Sequence, residues 1–169
     1  MTQYIIGALI IGFMAIPLRK KILEKRKIRK KELGIVNTYD RLVREYKLII
    51  EQYDTINHKL IGLDRKNKKL LIIDHSDNNR QEVCVPLLQI SNCKIVQVRN
   101  EAERCIKSIY LELLNKRNPT DKVRLSFYDE EQDKLRELPA LARKALHWKN
   151  TVDVHKYPGN IYIESGYLL

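Results

Sequence analysis

The chain has 169 residues, a length that suits one compact domain with appended segments, and its formal net charge is +11. A composition that is 44% hydrophobic and 31% charged excludes collagen, low-complexity disorder and a multi-span membrane protein. Six glycines and five prolines also argue against an architecture dominated by loops.

The positive charge is concentrated in one segment. Residues 1–18 contain no charged side chain, whereas residues 19–31, here called the basic collar, contain nine basic residues and one acid, a net charge of +8. Residues 32–169 carry 23 basic and 20 acidic side chains, a net charge of +3. The chain is therefore a nearly neutral domain beside a cationic segment. The cations of the basic collar are Arg19, Lys20, Lys21, Lys25, Arg26, Lys27, Arg29, Lys30 and Lys31.

Residues 1–18 predict a transmembrane helix. As a helix they would extend ~27 Å, close to the ~30 Å of a hydrocarbon core, and the first collar cations can reach the headgroups. A cleaved signal peptide would carry its charges before the apolar run instead of after it. Charge on the following side predicts a single pass through the inner (cytoplasmic) membrane, with the N-terminus outside and the C-terminal domain cytoplasmic. A buried core helix or an interfacial segment remains an alternative.

The basic collar permits two interpretations. Beside a membrane span, each cation contributes ~1 kcal/mol to the attraction of anionic lipid headgroups. As a nucleic-acid site, the collar would be a lysine-rich helix that lacks interleaved aromatic residues and a known motif. Its position next to the apolar segment favours lipid headgroups, and no nucleic acid is expected as a partner.

A helical stalk is predicted over residues 19–54. Between Ile22 and Tyr53 there is no proline and a single glycine, Gly34, and apolar residues recur at steps of three and four. Packing of this stripe against the chain's own domain is favoured, and dimerisation or docking on a partner is the alternative. The stripe comprises Tyr39, Leu42, Tyr46, Ile49 and Tyr53.

From residue 55 onward, short aliphatic runs alternate with polar turns. They predict six or seven antiparallel strands that form a small barrel or sandwich, so the fold class is α+β. The clearest runs are 59–63, 69–73, 82–85, 93–98, 106–114 and 123–128.

One C-terminal helix is predicted after the strands. It carries an apolar stripe that ends at Trp148, and Pro139 indicates either that the helix begins there or that its first turns are kinked. The strand-rich domain thus covers residues 55–152. Residues 153–169 form a tail that adds an edge strand or binds elsewhere.

No catalytic, metal or cofactor site is predicted. The four histidines do not form a ligand motif, and the three cysteines lack CxxC spacing and are interpreted as reduced core residues. Three acids, Glu130, Glu131 and Asp133, are explained as residues of a helix's first turn, where the dipole favours them. The histidines are His58, His75, His147 and His155, and the cysteines are Cys84, Cys93 and Cys105.

Residues 55–152 resemble the bacterial pleckstrin-homology-like (PH-like) domain. The resemblance rests on the hairpin 60–73, the segment 85–96 with its VPLxxI and xCxI patterns, the strand pair 109–114 and 123–128, and the helix that ends in Trp148. It implies two sheets forming a bent barrel of six or seven strands, capped by the C-terminal helix. It also implies a binding or scaffolding module without catalysis.

Lipid-binding members of the wider superfamily hold phosphoinositides with basic residues around the first hairpin. The turn that corresponds here contains Arg65, Lys66, Lys68 and Lys69. The usual lysine-x-arginine pair is missing from the end of the next strand, which reads Ile72-Ile-Asp74. A solvated charged turn is therefore favoured over a headgroup pocket.

These observations predict a non-catalytic adaptor. A single membrane span presents a cytoplasmic PH-like domain on a basic stalk, and the domain binds protein partners as an accessory subunit of a larger membrane complex of the secretion or motility type. Homo-oligomerisation remains open, and no small-molecule substrate is expected. The alternatives are a peripheral sensor of anionic lipid and, less favoured, a membrane-tethered nucleic-acid-binding protein.

Overall fold

A computed structural model describes residues 33–76, 79–100, 105–118 and 120–157. Within these ranges a first helix, α1, covers residues 33–46. The remaining elements are β1 (Gln52–Ile56), β2 (Lys59–Asp64), β3 (Lys69–Ser76), β4 (Asn79–Pro86), β5 (Ile90–Arg99), β6 (Ile106–Asn115), β7 (Lys122–Asp129) and α2 (Leu138–His155). Short 3-10 turns at Leu87–Gln89 and Leu135–Glu137 precede β5 and α2.

The strands form two antiparallel sheets. The first has the order β1-β2-β3-β4 and the second the order β5-β6-β7. Helix α2 packs against all three strands of the second sheet. The predicted α+β class, with antiparallel strands followed by one helix, is therefore confirmed.

The main core lies between the two sheets and α2. Trp148 and Phe127 are its largest fully buried side chains. The indole Nε1 of Trp148 donates a hydrogen bond to Asp54 Oδ2 (2.8 Å), so its one polar atom has a partner. Lys59 Nζ donates to the carbonyl of Ser126 (3.0 Å) and so connects the first sheet with the second.

The hairpin of β2 and β3 is apolar on both faces. Successive strand residues point to opposite sides, and alternate residues accordingly enter two different clusters. Ile61, Leu63, Leu70 and Ile72 belong to the main core. On the outer face a second cluster joins α1 and its following linker to the hairpin, and it comprises Ile35, Leu42, Leu48, Leu60, Leu71 and Ile73.

The predicted stalk helix extends too far. Helix α1 ends at residue 46, and residues 52–56 form β1, so the strand domain begins before residue 55. Lys47 has a φ of 50°, Leu48 N–H bonds to Val43 O (2.9 Å) and Lys47 N–H to Arg44 O (3.3 Å), which is the Schellman pattern of a helix end. The periodic apolar pattern continued past this point because the linker and β1 also carry apolar residues.

The next residues are held by a buried carboxylate. Asp64 is fully buried and accepts hydrogen bonds from the backbone N–H of Ile49 (2.8 Å) and of Asn67 (2.8 Å). Burial alone would raise the pKa of Asp64, but the hydrogen bonds from Asn67 and Ile49 lower it below its ordinary value. This carboxylate therefore connects the linker after α1 to the β2–β3 turn.

Helix α2 begins at Leu138 with Pro139 in its first turn, which confirms the interpretation that the helix begins at this proline.

The assignment of Glu130, Glu131 and Asp133 to the helix's first turn is wrong, because a 3-10 turn separates them from α2. Asp133 instead accepts hydrogen bonds from the backbone N–H of Asp129 (2.9 Å) and from the side-chain amide of Asn57. The helix also continues to His155, beyond the predicted boundary at residue 152.

Removing the Asp64 carboxylate is expected to destabilise the domain. Asp64→Ala leaves two backbone N–H donors without their acceptor, and we expect a loss of about 2–3 kcal/mol in the free energy of unfolding. Urea titration at neutral pH measures it. Asp40→Ala, at an exposed position on α1, is the control and should change stability by less than about 0.5 kcal/mol. Equal effects of the two variants would contradict the assigned role of Asp64.

Candidate functional site

A groove lies between α1 and β1. Helix α1 covers the outer face of β2 and β3, and its Arg41 pairs with Glu82 of β4, but the exposed Tyr53 and Thr55 of β1 stand beside it. The groove has a volume of about 490 Å³, within the usual range of ligand pockets. It is lined by Ile35, Val36, Tyr39, Tyr53, Thr55, Asn57 and Leu60.

The groove is lined by uncharged side chains. Aliphatic groups from α1 and β2 provide its apolar surface, and two phenols, a hydroxyl and an amide provide hydrogen-bonding groups. The pKa of Tyr39 is raised mainly by burial and further by Tyr53 and Asp40, so its hydroxyl stays protonated and available as a donor near neutral pH. Tyr53 is 63% exposed, an unusual state for a large aromatic side chain.

The α1 wall is held by a polar cluster on its other side. The Arg41 guanidinium pairs with Glu82 of β4, and His75 Nε2 lies 2.9 Å from the same carboxylate. Burial would raise the pKa of Glu82, but hydrogen bonds from His75 and Arg80 and the charge of Arg41 lower it. Helix α1 is thus attached to the sheet by apolar packing and by this ion-pair cluster.

The β1 wall is held by α2. Asp54 accepts from the Trp148 indole and, at 3.2 Å, from Lys144 Nζ. Gln52 Nε2 lies 2.8 Å from His147 Nε2. Because both walls are fixed by contacts outside the groove, the groove is preformed and needs no rearrangement to accept a ligand.

The structure divides the predicted apolar stripe. Leu42 is buried under α1, and Tyr39 lies at the groove. Tyr46 and Ile49 are 40% and 52% exposed at the helix end and in the linker, and Tyr53 lies on β1. Tyr39 and Tyr53 line the same groove. They do so from different elements, Tyr39 from α1 and Tyr53 from β1, and not from one continuous helix.

The basic turn belongs to the second hairpin, since β1 precedes β2 and the first hairpin turns at Asn57 and His58. The correspondence with the first hairpin of lipid-binding relatives is therefore wrong. Arg65 contacts Gln52 Oε1 (3.1 Å) and Glu51 (3.7 Å).

Lys69 is the other cation of this turn whose side-chain contact the described ranges show. Lys69 Nζ donates to the carbonyl of Tyr46 (3.3 Å), and the carbonyl of Lys68 accepts from Leu87 N–H (2.8 Å). Lys66 is exposed. The turn therefore supports the fold through two of its cations.

The remaining candidate residues contribute to the fold. Cys93 is buried, and burial, reinforced by Asp153, raises the pKa of its thiol to about 12. Burial also raises the pKa of Cys84. Across the described ranges no group of three or more His, Cys, Asp or Glu residues is placed to hold a metal ion.

The histidines lie in separate environments. His75 is in the Glu82 cluster, His147 contacts Gln52, and His155 Nδ1 lies 2.8 Å from the carbonyl of Thr151. In these contacts they fix elements of the fold.

No family model, curated protein or solved structure matches this chain. The assignment of function therefore depends on the residues and the geometry alone.

The predicted membrane segment lies outside the described residues, as does the basic collar. Among the helices that the structure does describe, none combines the length and the apolar character needed to cross a bilayer.

Sequence reasoning missed most of the groove, because it assigned residues 52–54 to a helix. One signal was present: Asn57 stands between two short β-prone runs, and asparagine tolerates the left-handed conformation that a tight hairpin requires. Its φ of 54° shows that it is used in this way. Recognising that turn would have identified β1 as an outer strand.

The Glu82 cluster should stabilise the fold at neutral pH and lose this effect in acid. The pKa of Glu82 is lower in the folded chain than in the unfolded chain, so its contribution is complete above the unfolded pKa and disappears as the pH falls through the folded one. We expect Glu82→Gln to lower the free energy of unfolding by about 1–2 kcal/mol at pH 7. The difference from wild type should shrink as the pH falls from about 5 to 3.

Urea unfolding of wild type and variant at pH 7 and at several pH values between about 5 and 3 tests this expectation. Glu45→Gln is a matched control, because Glu45 is exposed and its ion pair is with Arg41 on the same helix; its effect should stay below about 0.5 kcal/mol. A difference for Glu82→Gln that does not depend on pH would show that its charge is not involved.

Cys93 should be almost unreactive in the folded chain. Only the thiolate reacts with maleimides, and a pKa of about 12 leaves very little of it at pH 8. We expect alkylation of Cys93 to be more than about 100-fold slower in the folded chain than in urea. Peptide mapping by mass spectrometry measures the rate, with the half-buried Cys105 as the internal comparison. Equal rates at both positions would contradict the core assignment.

Proposed function

We propose that this protein is a single-span, membrane-anchored and non-catalytic adaptor. Residues 1–18 anchor it, the basic collar lies against anionic headgroups, and a cytoplasmic PH-like domain binds protein partners as an accessory subunit of a larger membrane complex. The observation that carries the proposal is the preformed, uncharged groove between α1 and β1.

The architecture supports the PH-like part of the proposal. A four-stranded and a three-stranded antiparallel sheet, followed by a helix that packs on the second sheet, agree with what the resemblance implies. The tryptophan that the resemblance stresses is fully buried in the core, as a late helical tryptophan in such a domain would be.

The groove has the chemistry of a peptide site. Peptide grooves combine apolar surface for alternate side chains with a few donors and acceptors for the backbone. Here Val36 and Leu60 supply apolar surface, whereas Thr55, Tyr39 and Tyr53 supply hydroxyl groups. An uncharged lining disfavours phosphorylated or strongly acidic ligands and favours a neutral polypeptide segment.

The position of the groove fits a membrane complex. Its α1 residues, Ile35, Val36 and Tyr39, belong to the helix half that directly follows the basic collar in sequence. The groove would therefore open near the membrane surface, where the cytoplasmic segments of an integral membrane partner leave the bilayer.

A second candidate function is the peripheral sensor of anionic lipid. The observation in its favour is the pair of exposed apolar side chains, Tyr46 and Ile49, beside the exposed Lys47 and beside Lys69, whose Nζ donates to the carbonyl of Tyr46 (3.3 Å). Apolar insertion with nearby positive charge is typical of interfacial binding. This patch lies at the C-terminal end of α1 and in the following linker, away from the groove's α1 residues, so variants can separate the two functions.

Site-specific photo-cross-linking in native membranes tests the adaptor. A benzophenone amino acid at Tyr53, in the groove, should produce one discrete adduct with a membrane protein, whereas the same group at Leu146, 50% exposed on α2, should not. Val36→Glu places a charge in the groove and should reduce the adduct at least five-fold. Val98→Glu, on the second sheet, should leave it unchanged.

Two results would contradict the adaptor function. Equal adducts from both positions would indicate collision without a site, and lipid adducts alone would favour the lipid sensor. Release of the full chain by alkaline carbonate would separately refute the membrane anchor.

A further inference from the structure

Strand β1 is an outer strand of the first sheet, and its outer edge borders the groove. The strand order β1-β2-β3-β4 gives β1 a single neighbour in this sheet, β2. The two β1 residues that line the groove, Tyr53 and Thr55, are both exposed. An outer strand presents a row of backbone N–H and C=O groups with which a further strand can pair. The groove is therefore bordered by backbone groups as well as by side chains.

The strand register shows which backbone groups face this edge. His75 N–H bonds to His58 O (3.0 Å), so the even-numbered residues of β2 bond toward β3 and the odd-numbered ones toward β1. These odd-numbered residues pair with the even-numbered residues of β1. The backbone groups of the intervening residues, Tyr53 and Thr55, therefore point away from β2.

The Thr55 carbonyl shows the same direction. Lys144 Nζ, on α2, donates to this carbonyl (3.4 Å) and pairs with Asp54 Oδ1 (3.2 Å). A carbonyl oxygen has two lone pairs, so this one can accept a second hydrogen bond. Within the described ranges, the N–H and C=O of Tyr53 and the N–H of Thr55 have no partner. The edge thus offers two donors and two acceptors.

We propose that a partner segment binds by adding to β1 as a fifth strand of the first sheet. The inference deepens the proposed function and rests on it for the source of the segment. Backbone hydrogen bonds to Tyr53 and Thr55 provide the pairing, and the groove receives alternate side chains of the added strand.

The two faces of the added strand meet different surfaces. Residues that stand opposite Tyr53 and Thr55 share their face of the sheet and lie toward the α1 wall at Val36. The intermediate residues lie on the other face, that of Asp54 and its ion pair with Lys144. Since β1 has five residues, the occupant is an extended segment of about five residues in which uncharged apolar side chains alternate with polar ones.

A second copy of the chain fits this edge less well. Two β1 strands that paired about a two-fold axis at Asp54 would place the two Asp54 carboxylates directly opposite each other. Like charges in that position destabilise a strand pair. A separate segment with an uncharged polar residue opposite Asp54 avoids this cost.

Model peptides test the backbone pairing without altering the protein. The probe is an end-blocked, fluorescein-labelled peptide of alternating valine and threonine, and anisotropy measures its binding to the purified full chain in detergent micelles, with empty micelles as the blank. Successive strand residues present their N–H groups to opposite sides, so either the valine or the threonine amides face β1. N-methylation of one set should therefore weaken binding about ten-fold, whereas N-methylation of the other should leave it unchanged.

Two proline variants test the same pairing in native membranes. Thr55→Pro removes an N–H that points outward and leaves the bonds between β1 and β2 in place. It should reduce the benzophenone adduct at Tyr53 by about five-fold or more. Arg80→Pro is the matched control, because Arg80 lies on the other outer strand and its β3 partner, His75, bonds toward β2. Both variants should retain a urea transition, and Arg80→Pro should retain the adduct.

The outcomes separate this inference from the adaptor function. Equal binding of the two methylated peptides, or a full adduct in folded Thr55→Pro, would overturn strand addition and leave the adaptor standing. Links at Tyr53 between isotopically labelled and unlabelled copies would assign the edge to a second copy and also overturn it. Binding that depends on which amides are methylated, without any membrane adduct, would refute the adaptor and retain β1 as a strand acceptor.

Discussion

The fold depends on the hairpin of β2 and β3, because both of its faces must be kept from water. Leu70 and Ile72 face the main core, and Leu71 and Ile73, between and beside them, face the opposite side. The second sheet and α2 cover the first face. Helix α1 must cover the other, since the three buried aliphatic side chains Leu60, Leu71 and Ile73 would otherwise be exposed at a cost of about 1.5–3 kcal/mol each. Helix α1 is therefore an integral layer of the domain and not a detached stalk.

The same helix also forms part of the candidate groove. The helix that follows the basic collar in sequence is also one wall of the groove, and Arg41 and the linker held by Asp64 fix its position on the sheet. A ligand seated between α1 and β1 would therefore contact a helix whose position on the sheet is fixed by these contacts.

The sequence predicts the strands well where periodicity and turns agree. The runs 69–73, 93–98, 106–114 and 123–128 all lie within strands, and Pro139 marks the start of α2. The end of α1 could not be predicted, because Lys47 takes a positive φ without a glycine and Asp64, fifteen residues beyond Ile49, holds the next segment. The groove was missed for the same reason: β1 is stabilised by tertiary contacts to Trp148 and Lys144, which no local pattern displays.

The width of the first sheet explains why a groove exists at all. Neighbouring strands lie about 4.8 Å apart, so four strands present a face roughly 15–19 Å wide, whereas a helix with its side chains is about 10–12 Å across. One helix can cover two strands and part of a third. Helix α1 lies over the most apolar pair, β2 and β3, and reaches Glu82 of β4 through Arg41, so the less covered strand is β1. Tyr53 and Thr55 of the outer strand β1 are therefore left uncovered beside α1 and line the groove. A polypeptide segment has the right width to cover them.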